Sequence, residues 1–303
     1  TDLIIELDYL RKKTLGGTTH PHIFFQLKSI FHSLESLGSA RIEGNRTTLA
    51  EYIEIKIKDE QTNDEKIIEI QNSERALAFI DSNIEQIAIK RSLLSELHKY
   101  VVAHLPPPPN GEGSRTPGGY RQLNVTITNS PHQPPDMSQI PGYMDELFDF
   151  VNKQDSPKYD LLKIAIAHHR LAWIHPFDNG NGRVVRLLTY AMLVKQGFNV
   201  QVGRILNPTA VFCNNREKYY QYLSQADTAE DSGILSWCEY VLEGIKKEID
   251  KIDRLLDYRY LLVNILLPAI VYSEARKVLT ASEAMILTLT AKKQVVQASD
   301  IKA

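Results

Sequence analysis

Apolar residues recur three and four positions apart along most of this chain, which is the spacing of one face of an α-helix. The pattern runs through residues 22–44 and again through 74–105. It returns after residue 136, where 160–174 is apolar over most of its circumference and 184–198 places Gly197 near its end. We therefore predict an all-α protein in which the helices over 160–174 and 184–198 are buried at the centre.

A segment between these helical regions breaks the pattern. Residues 106–120 read PPPPNGEGSRTPGGY; proline lacks an amide donor and glycine is conformationally free, so we predict a long exposed loop. Residues 120–129 combine Val125 and Ile127 with β-branched threonines, which predicts a strand. Since one short strand cannot form a sheet alone, we expect a small β-hairpin flap near 118–135.

The C-terminal part of the chain gives a different signal. In LTASEAMILTLT, Thr280 and Glu283 have the spacing of a helix capping box. Residues 297–303, QASDIKA, indicate the start of another helix. Two short helices joined by a tight turn favour part of a winged-helix or helix-turn-helix module, and a plain helical extension is the alternative.

Composition narrows the class of protein. The chain has 303 residues with 43% hydrophobic and 24% charged content, which is ordinary globular usage. The net charge of -2 provides no overall basic field for nucleic acid or an anionic membrane. The longest apolar stretch, 260–272, is too short to span a bilayer. Cys213 and Cys238 lack metal-site spacing, and the N-terminus lacks a signal-peptide pattern, so we expect free thiols and a cytoplasmic protein without a membrane partner.

The stretch IHPFDNGNGRVVR, at 174–186, places polar and flexible residues directly after an apolar helix. The Gly-Asn-Gly turn at 180–182 allows successive backbone N–H groups to point into one concavity, and the following helix adds its positive end. Arg183 and Arg186 lie three residues apart on the first turn of that helix, so both can reach one polyanion. We interpret this stretch as a cradle for a di- or triphosphate.

His175 comes at the end of the preceding helix, and Pro176 fixes the direction in which the chain leaves it. A histidine with a pKa near neutrality beside a phosphate is suited to taking a proton from an attacking hydroxyl. The predicted reaction class is therefore nucleotidyl or phosphoryl transfer to an alcohol, catalysed by positioning and charge neutralisation.

At these residues the sequence resembles the Fic family, whose signature is HPFx(D/E)GNGRxxR; here it reads HPFDNGNGRVVR, at 175–186. GGYRQLNVTI followed by HQPP resembles the family's target-docking flap, and NREKYYQYL, at 215–223, is similar to its following helix. The resemblance covers roughly residues 20–245. It implies a helical protein adenylyltransferase that moves AMP from ATP to a hydroxyl side chain of a target protein.

The resemblance also implies residue roles. His175 is the base that deprotonates the Ser, Thr or Tyr hydroxyl of the target. The other implied contacts are Gly180, Asn181, Gly182 and Arg183 for the α and β phosphates, Arg186 for the γ phosphate, Asn215 for the adenine or ribose, and Val125, Thr126 and Ile127 in the flap for the target. Asn179 stands where the family has its acidic Mg2+ ligand, so Mg2+ would be held by Asn179 or Asp178. A neutral amide oxygen holds Mg2+ less firmly than a carboxylate.

The segment SARIEG, at 39–44, is a second point of interest. Ser39 and Glu43 share one helix face, and Gly44 is a natural helix stop. Glu43 then lies at the negative end of the helix, where an acid is disfavoured by roughly 0.3–1 kcal/mol unless a cation answers it. The segment resembles the family's inhibitory (S/T)xxxE(G/N) motif, which implies that Glu43 pairs with Arg186, occupies the γ-phosphate position and restrains the enzyme.

These predictions divide the chain into a helical region at 1–104 with the inhibitory segment, a Fic catalytic core at 105–245 and a helical extension at 246–303. The main alternative is a nucleotide-binding regulator, whose altered site binds ATP without turnover and is linked to DNA through an incomplete C-terminal module. Transfer of other phosphate-linked groups and hydrolytic removal of AMP also stay open. A homodimer is neither predicted nor excluded by the sequence.

Overall fold

The computed structural model describes residues 2–12, 18–58, 62–127, 130–198 and 208–297. These residues are mainly helical, and none of them lies in a β-strand, so the expected all-α character is confirmed for this part of the chain. The helices are α1 Asp2–Lys12, α2 Pro21–Ile42, α3 Leu49–Lys58, α4 Glu65–Asn83, α5 Arg91–Val102, α6 Ile140–Asn152, α7 Asp160–Ile174, α8 Asn181–Lys195, α9 Pro208–Cys213, α10 Arg216–Ala226, α11 Asp231–Leu256, α12 Tyr258–Leu261, α13 Leu267–Ala275 and α14 Ala281–Lys293.

The chain forms two compact units. The first comprises Thr1–Lys13 and Leu27–Ile249, and the second comprises Thr14–Gln26 and Asp250–Ala303. The site discussed below lies in the first unit. The three-segment division derived from the sequence stays a prediction about domain organisation.

Helices α7 and α8 pack together in the first unit, and α8 also contacts α4 and α5. Helix α7 spans the residues that the apolar pattern predicted. Helix α8 begins at Asn181, three residues before the predicted start at Val184. The earlier start follows from Gly180, whose φ of 74° turns the chain in the left-handed region directly before the helix. The predicted end is close, since Gly197 follows α8 with a φ of 89°.

The apolar run at 74–105 is divided between α4 and α5. The chain leaves the helix after Asn83 and re-enters it at Arg91. Lys195, at the end of α8, donates to the carbonyl oxygens of Ile84 and Ile87 at 2.7 and 2.8 Å. A lysine thus satisfies backbone acceptors that a helix would leave unpaired at its C-terminal end.

The strand predicted at 120–129 is wrong for residues 120–127, which are irregular, while Thr128 and Asn129 lie outside the described residues. Backbone groups here pair with the end of α7 and with a side chain, not with a second strand. The Arg121 amide donates to the carbonyl of Pro176 at 2.8 Å, and the Arg121 guanidinium donates to the carbonyl of Leu123 at 2.9 Å. The prolines that follow at 131, 134 and 135 cannot donate to a partner strand, so the β-hairpin is not formed in the described part of the flap.

In the second unit, α12 continues through one π-helical turn, Leu262–Leu266, into α13, and α13 packs against α14. The predicted capping box is confirmed. The Thr280 hydroxyl accepts from the Glu283 amide, and the Glu283 carboxylate accepts from the Thr280 amide at 2.7 Å. The further helix expected within 297–303 falls mostly on residues outside the described part, and the helix-turn-helix or winged-helix module stays a prediction.

Two simpler expectations can be compared with the structure. Cys213 and Cys238 are free thiols, as expected. Within the described residues no single helix is long and apolar enough to cross a membrane, although Asp231–Leu256 and Tyr258–Ala275 together reach that length and composition as a bent pair.

Candidate active site

The loop between α7 and α8 is closed by one of its own side chains. The Asn181 Oδ1 accepts from the amide of Phe177 at 2.9 Å, and its Nδ2 donates to the carbonyl of Phe177 at 2.9 Å. Asn181 is buried, so this doubly bonded amide stabilises the turn at small cost. The Asn181 side chain therefore fixes the loop that precedes α8, and Asn181 is the first residue of that helix.

His98, on α5, contacts the same loop at Phe177 and Asn179. Its ring stacks on Phe177 with 3.9 Å between centroids. The Gly118 amide donates to its Nδ1 at 2.8 Å, so Nε2 carries the proton and donates to the Asn179 carbonyl at 3.1 Å. Burial lowers the pKa of His98 to about 4, which keeps the ring neutral at pH 7. We did not predict this role from the sequence, although a histidine on the apolar face of α5 was the available signal.

His175 follows α7 in the left-handed region, with a φ of 51°. Burial lowers its pKa to about 4, against the opposing effect of a hydrogen bond to the backbone of Ala172. A neutral ring that donates one N–H to a carbonyl keeps its other nitrogen as a proton acceptor. His175 is therefore neutral at pH 7 and can accept a proton, but its pKa of about 4 is lower than the near-neutral value expected from the sequence, which makes it a weaker base.

Arg121 fixes the position of His175 and was not predicted from the sequence. Its Nε donates to the His175 carbonyl at 3.0 Å, while its backbone amide donates to the next carbonyl, that of Pro176. The side chain is 2% exposed, and its guanidinium also donates to the carbonyls of Leu123 and Pro135. One buried arginine thus connects residues 123 and 135 to His175. The signal was a charged residue within an apparent strand.

The first turn of α8 already has an anion against it. A Cβ added to Gly182 would lie 2.2 Å from the Glu43 Oε1, so the absence of a side chain at Gly182 is what lets this carboxylate approach. Gly180 permits the sharp entry into α8 and packs closely on Val101 and Val102 of α5. The N-terminal end of a helix attracts negative charge, and here a glutamate supplies it.

Glu43 is held by Arg186. The Glu43 Oε1 lies 2.6 Å from the Arg186 Nη2, and the Arg186 Nε donates to the Ser39 Oγ at 2.8 Å. Helix α2 ends at Ile42, and Gly44 takes a φ of 104° two residues later. Burial raises the pKa of Glu43, but the charge and hydrogen bond of Arg186 outweigh it and leave the pKa below its usual value. The structure thus brings the SARIEG segment and Arg186 together as an ionised pair.

Arg183 has a different environment. Its side chain is 1% exposed, and its guanidinium donates to the carbonyls of Val101 and Glu112 at 3.3 and 3.0 Å. It also lies 3.4 Å from the Glu69 carboxylate and 3.2 Å from the Glu112 carboxylate. The guanidinium is therefore engaged by α4, α5 and the loop after α5.

Asp178 and Asn179, the predicted metal ligands, are also engaged. The Asp178 carboxylate accepts from the Ser114 hydroxyl and from the Arg115 amide. These bonds connect the loop at 106–120, the proline-rich loop, to the site. The Asn179 Oδ1 accepts from the Gly180 amide at 2.7 Å, and its Nδ2 donates to Glu112 at 3.3 Å. Within the described residues no group of three or more His, Cys, Asp or Glu side chains is arranged to hold a metal ion.

Helix α10 borders the site. The Asn215 Oδ1 accepts from the Lys218 amide at 2.9 Å, so the residue predicted to contact adenine or ribose caps α10 with its oxygen. Tyr219 is buried, and its hydroxyl lies 3.0 Å from the His168 Nε2. Tyr220 is 42% exposed, with the Arg216 guanidinium 5.5 Å from its ring centre. The flap residues Val125 and Ile127 are half-buried and Thr126 is exposed.

Comparison with known proteins agrees with this geometry. The Fic/DOC family model matches residues 88–193, which include α5, the proline-rich loop, α7 and most of α8. The protein adenylyltransferase Fic of Drosophila willistoni is 28% identical over 226 residues, which is 72% of this chain. The chain spans 40% of the length of that relative.

Solved structures share the fold. A Fic family protein from Desulfovibrio desulfuricans G20 superposes with a TM-score of 0.68 at 20% identity, covering 97% of this chain and 87% of that one. A Fic domain-containing signaling protein from Bacteroides thetaiotaomicron gives a TM-score of 0.67 at 19% identity, covering 84% of this chain and 97% of that one. The match at 88–193 contains the HPFDNGNGRVVR motif, so this part of the chain is similar to the Fic/DOC family, and the chain shares the fold of these solved structures.

Proposed function

We propose that this chain is a protein adenylyltransferase, which moves AMP from ATP to a Ser, Thr or Tyr hydroxyl of a target protein, and that Glu43 restrains it. The observation that carries the proposal is the Glu43 carboxylate, which lies against the first turn of α8 and 2.6 Å from Arg186. A carboxylate and a phosphate oxygen are both anionic acceptors that bind guanidinium groups and helix N-termini. Glu43 therefore stands in for a phosphate of the nucleotide.

The transfer uses His175 as base. Neutral His175 takes the proton of the target hydroxyl, and the hydroxyl oxygen attacks the α phosphorus of ATP. A new P–O bond forms to the target, the bond between the α phosphorus and the bridging oxygen breaks, and pyrophosphate leaves. The backbone N–H groups at the start of α8 and the Arg186 guanidinium hold the phosphates, so the charge that develops meets groups already in place.

Positioning of the base comes from Arg121 and His98. Both are buried, and both bond to carbonyls of the loop at 175–179, so the base and the cradle share one rigid support. The target would lie along the flap segment, with its chain beside Val125, Thr126 and Ile127. An extended target chain bound through its backbone is recognised by shape more than by sequence.

The restraint acts through Arg186. While Glu43 occupies this guanidinium, the γ phosphate of ATP cannot reach it, and ATP binds in a pose unsuited to transfer. The Glu43 side chain is 29% exposed, so it can leave the cradle toward solvent without disrupting the core. Release of Glu43 is then the step that makes the cradle complete.

Mg2+ ordinarily bridges nucleotide phosphates and neutralises their charge. The residues predicted to hold it do not fit this role as they stand, because both oxygens of Asp178 and the side-chain oxygen of Asn179 accept hydrogen bonds from the protein. The proposed transfer therefore depends on the protein's own groups around the nucleotide.

Incorporation of labelled AMP into a cell lysate or into the chain itself tests the chemistry. We expect labelling with Glu43→Gly and a loss of about 100-fold or more when His175→Ala is added to it, which is the scale of general-base catalysis. His169→Gln is a matched control, because this histidine lies on α7 and pairs with Asp227 at 3.0 Å, outside the cradle. Labelling that survives the loss of His175 would remove the base assignment.

A second candidate function is a regulator that binds ATP without turnover. The engagement of Asp178 and Asn179 favours it, because no unoccupied carboxylate of these two residues is available at the cradle. Calorimetric ATP binding by Glu43→Gly, combined with no AMP transfer under any divalent ion, would select this candidate.

A further inference from the structure

Helix α13, in the second unit, is apolar and yet remains at the surface. Its sequence, LPAIVYSEA, contains a single charged residue, and none of its residues is buried against the described part of the chain. Val271 is 64% exposed, and Met285 on the neighbouring helix α14 is 59% exposed. A helix that is apolar over most of its surface is ordinarily covered, and exposed apolar surface of this kind marks a site of contact with a partner.

The exposed surface forms a groove between α13 and α14. Ile270 and Val271 line it from α13, Met285 and Leu289 line it from α14, and the buried Ala284 contributes a small side chain. Such a groove suits the apolar face of another helix, which is a common way in which helices bind.

The groove has opposite charges at its two ends. Glu274 lies near the end of α13, next to the start of α14 in the chain, and Lys292 lies at the end of α14. Helix α14 runs back toward the start of α12, because the Tyr258 hydroxyl donates to the Ala291 carbonyl at 2.5 Å. Glu274 and Lys292 are therefore separated along the groove, and neither forms an ion pair with another described residue.

We propose that this groove is the contact between two copies of the chain, related by a two-fold axis. An axis through the middle of the groove places Glu274 opposite Lys292 of the partner subunit at both ends, so each charge receives a counter-ion. The apolar side chains between the two charges, such as Val271 and Met285, are covered in the same contact. Because one patch serves on both sides, the contact gives a closed dimer rather than an open filament. The proposal does not depend on adenylyl transfer.

Analytical ultracentrifugation of the 303-residue chain and of charge variants tests the contact. Wild type should form a dimer that dissociates on dilution between about 100 and 1 µM, as expected of a small interface. Glu274→Lys and Lys292→Glu should each weaken self-association at least about 10-fold, because like charges then meet at both ends of the groove. Glu239→Lys is the matched control, since it makes the same change of charge at an exposed position on α11 and should leave the dimer unchanged.

A mixture of the two variants gives a test that a two-fold contact alone passes. Each variant repels itself, but a mixed pair brings opposite charges together at both ends of the groove. Glu274→Lys and Lys292→Glu should therefore associate with each other within about threefold of the wild-type affinity. Wild type that stays monomeric at about 100 µM would overturn the proposal. Single variants that dimerise like wild type, or a mixture that does not associate, would also overturn it.

Discussion

Arg183 and Arg186 lie three residues apart near the start of α8 and are almost equally buried, yet they have different partners. Arg183 is bound by backbone carbonyls and by Glu69, whose side chain is 5% exposed. Arg186 donates to the hydroxyl and carbonyl of Ser39 and is paired with Glu43, whose side chain is 29% exposed. A guanidinium whose anion belongs to the core stabilises the fold. A guanidinium whose anion can move into solvent is available to another anion.

The largest expected effect separates the two arginines by stability. Arg183→Gln should lower the free energy of unfolding by about 3 kcal/mol or more, because the buried carbonyls of Val101 and Glu112 lose their charged donor. Arg186→Gln should cost less, about 1–2 kcal/mol, since Glu43 can turn toward water. Urea unfolding at pH 7 measures both. Equal costs, or a larger cost for Arg186→Gln, would break the comparison.

The contrast shows how much could be predicted from the sequence. The spacing of Arg183 and Arg186 predicts two equivalent phosphate ligands, because spacing reports only which helix face they share. Their partners come from distant segments, such as Glu69 on α4 and Glu112 in the proline-rich loop. Local pattern cannot reveal such tertiary contacts. The pairing of Glu43 with Arg186 was expected only through the family resemblance.

Other outcomes follow the same rule. Helix α7 was predicted with its limits because its apolar periodicity is long and continuous. The strand at 120–127 was wrong because strand propensity becomes a strand only when a partner accepts its hydrogen bonds, and here Arg121 and Pro176 take part of that role. His98 was missed because a buried histidine on an apolar helix face looks like packing until its two partners are known.

Buried His98 should make the stability of the protein depend on pH. His98 has a pKa of about 4 in the folded protein and about 6.5 when unfolded, so the unfolded chain binds the proton first as the pH falls. Stability should therefore be lost as the pH falls from 6.5 toward 4, by up to about 2 kcal/mol at pH 5 for this group. Urea unfolding of wild type and His98→Asn at pH 7 and pH 5 measures it. A stability difference between the two proteins that does not shrink at pH 5 would contradict the assignment.

The close contact between Gly182 and the Glu43 carboxylate can be tested by adding a side chain at position 182. Gly182→Ala places a methyl group where the Glu43 carboxylate lies, so it should displace Glu43 and lower the free energy of unfolding by about 1 kcal/mol. The loss should vanish when Glu43→Gly is already present. Gly142→Ala is the control, because its Cβ meets nothing within 4 Å on α6, and alanine there should stabilise by about 0.5–1 kcal/mol. If Gly182→Ala lowers the free energy of unfolding equally in the Glu43→Gly background, the Glu43 carboxylate does not lie against Gly182.

The smallest expected effect is at Asn179. Asn179→Asp replaces a donor to Glu112 with a second carboxylate, so it should lower the free energy of unfolding by about 0.5–1 kcal/mol in EDTA. Added Mg2+ should reverse the loss, because the neighbouring carboxylates at positions 112 and 179 would suit a hard cation. Thermal melts with and without Mg2+ measure the change. The same loss with and without Mg2+ would mean that a carboxylate at position 179 does not bind the ion.

The rate of AMP transfer by wild type, Glu43→Gln and Glu43→Gly, followed as a mass increase of the modified protein at saturating ATP, decides whether Glu43 restrains the transfer. We expect the Glu43 charge to hold Arg186 away from the terminal phosphate. Both variants should then transfer AMP at least about 10-fold faster than wild type, the factor that one charge-assisted contact provides. Wild type that is as fast as both variants would contradict the account.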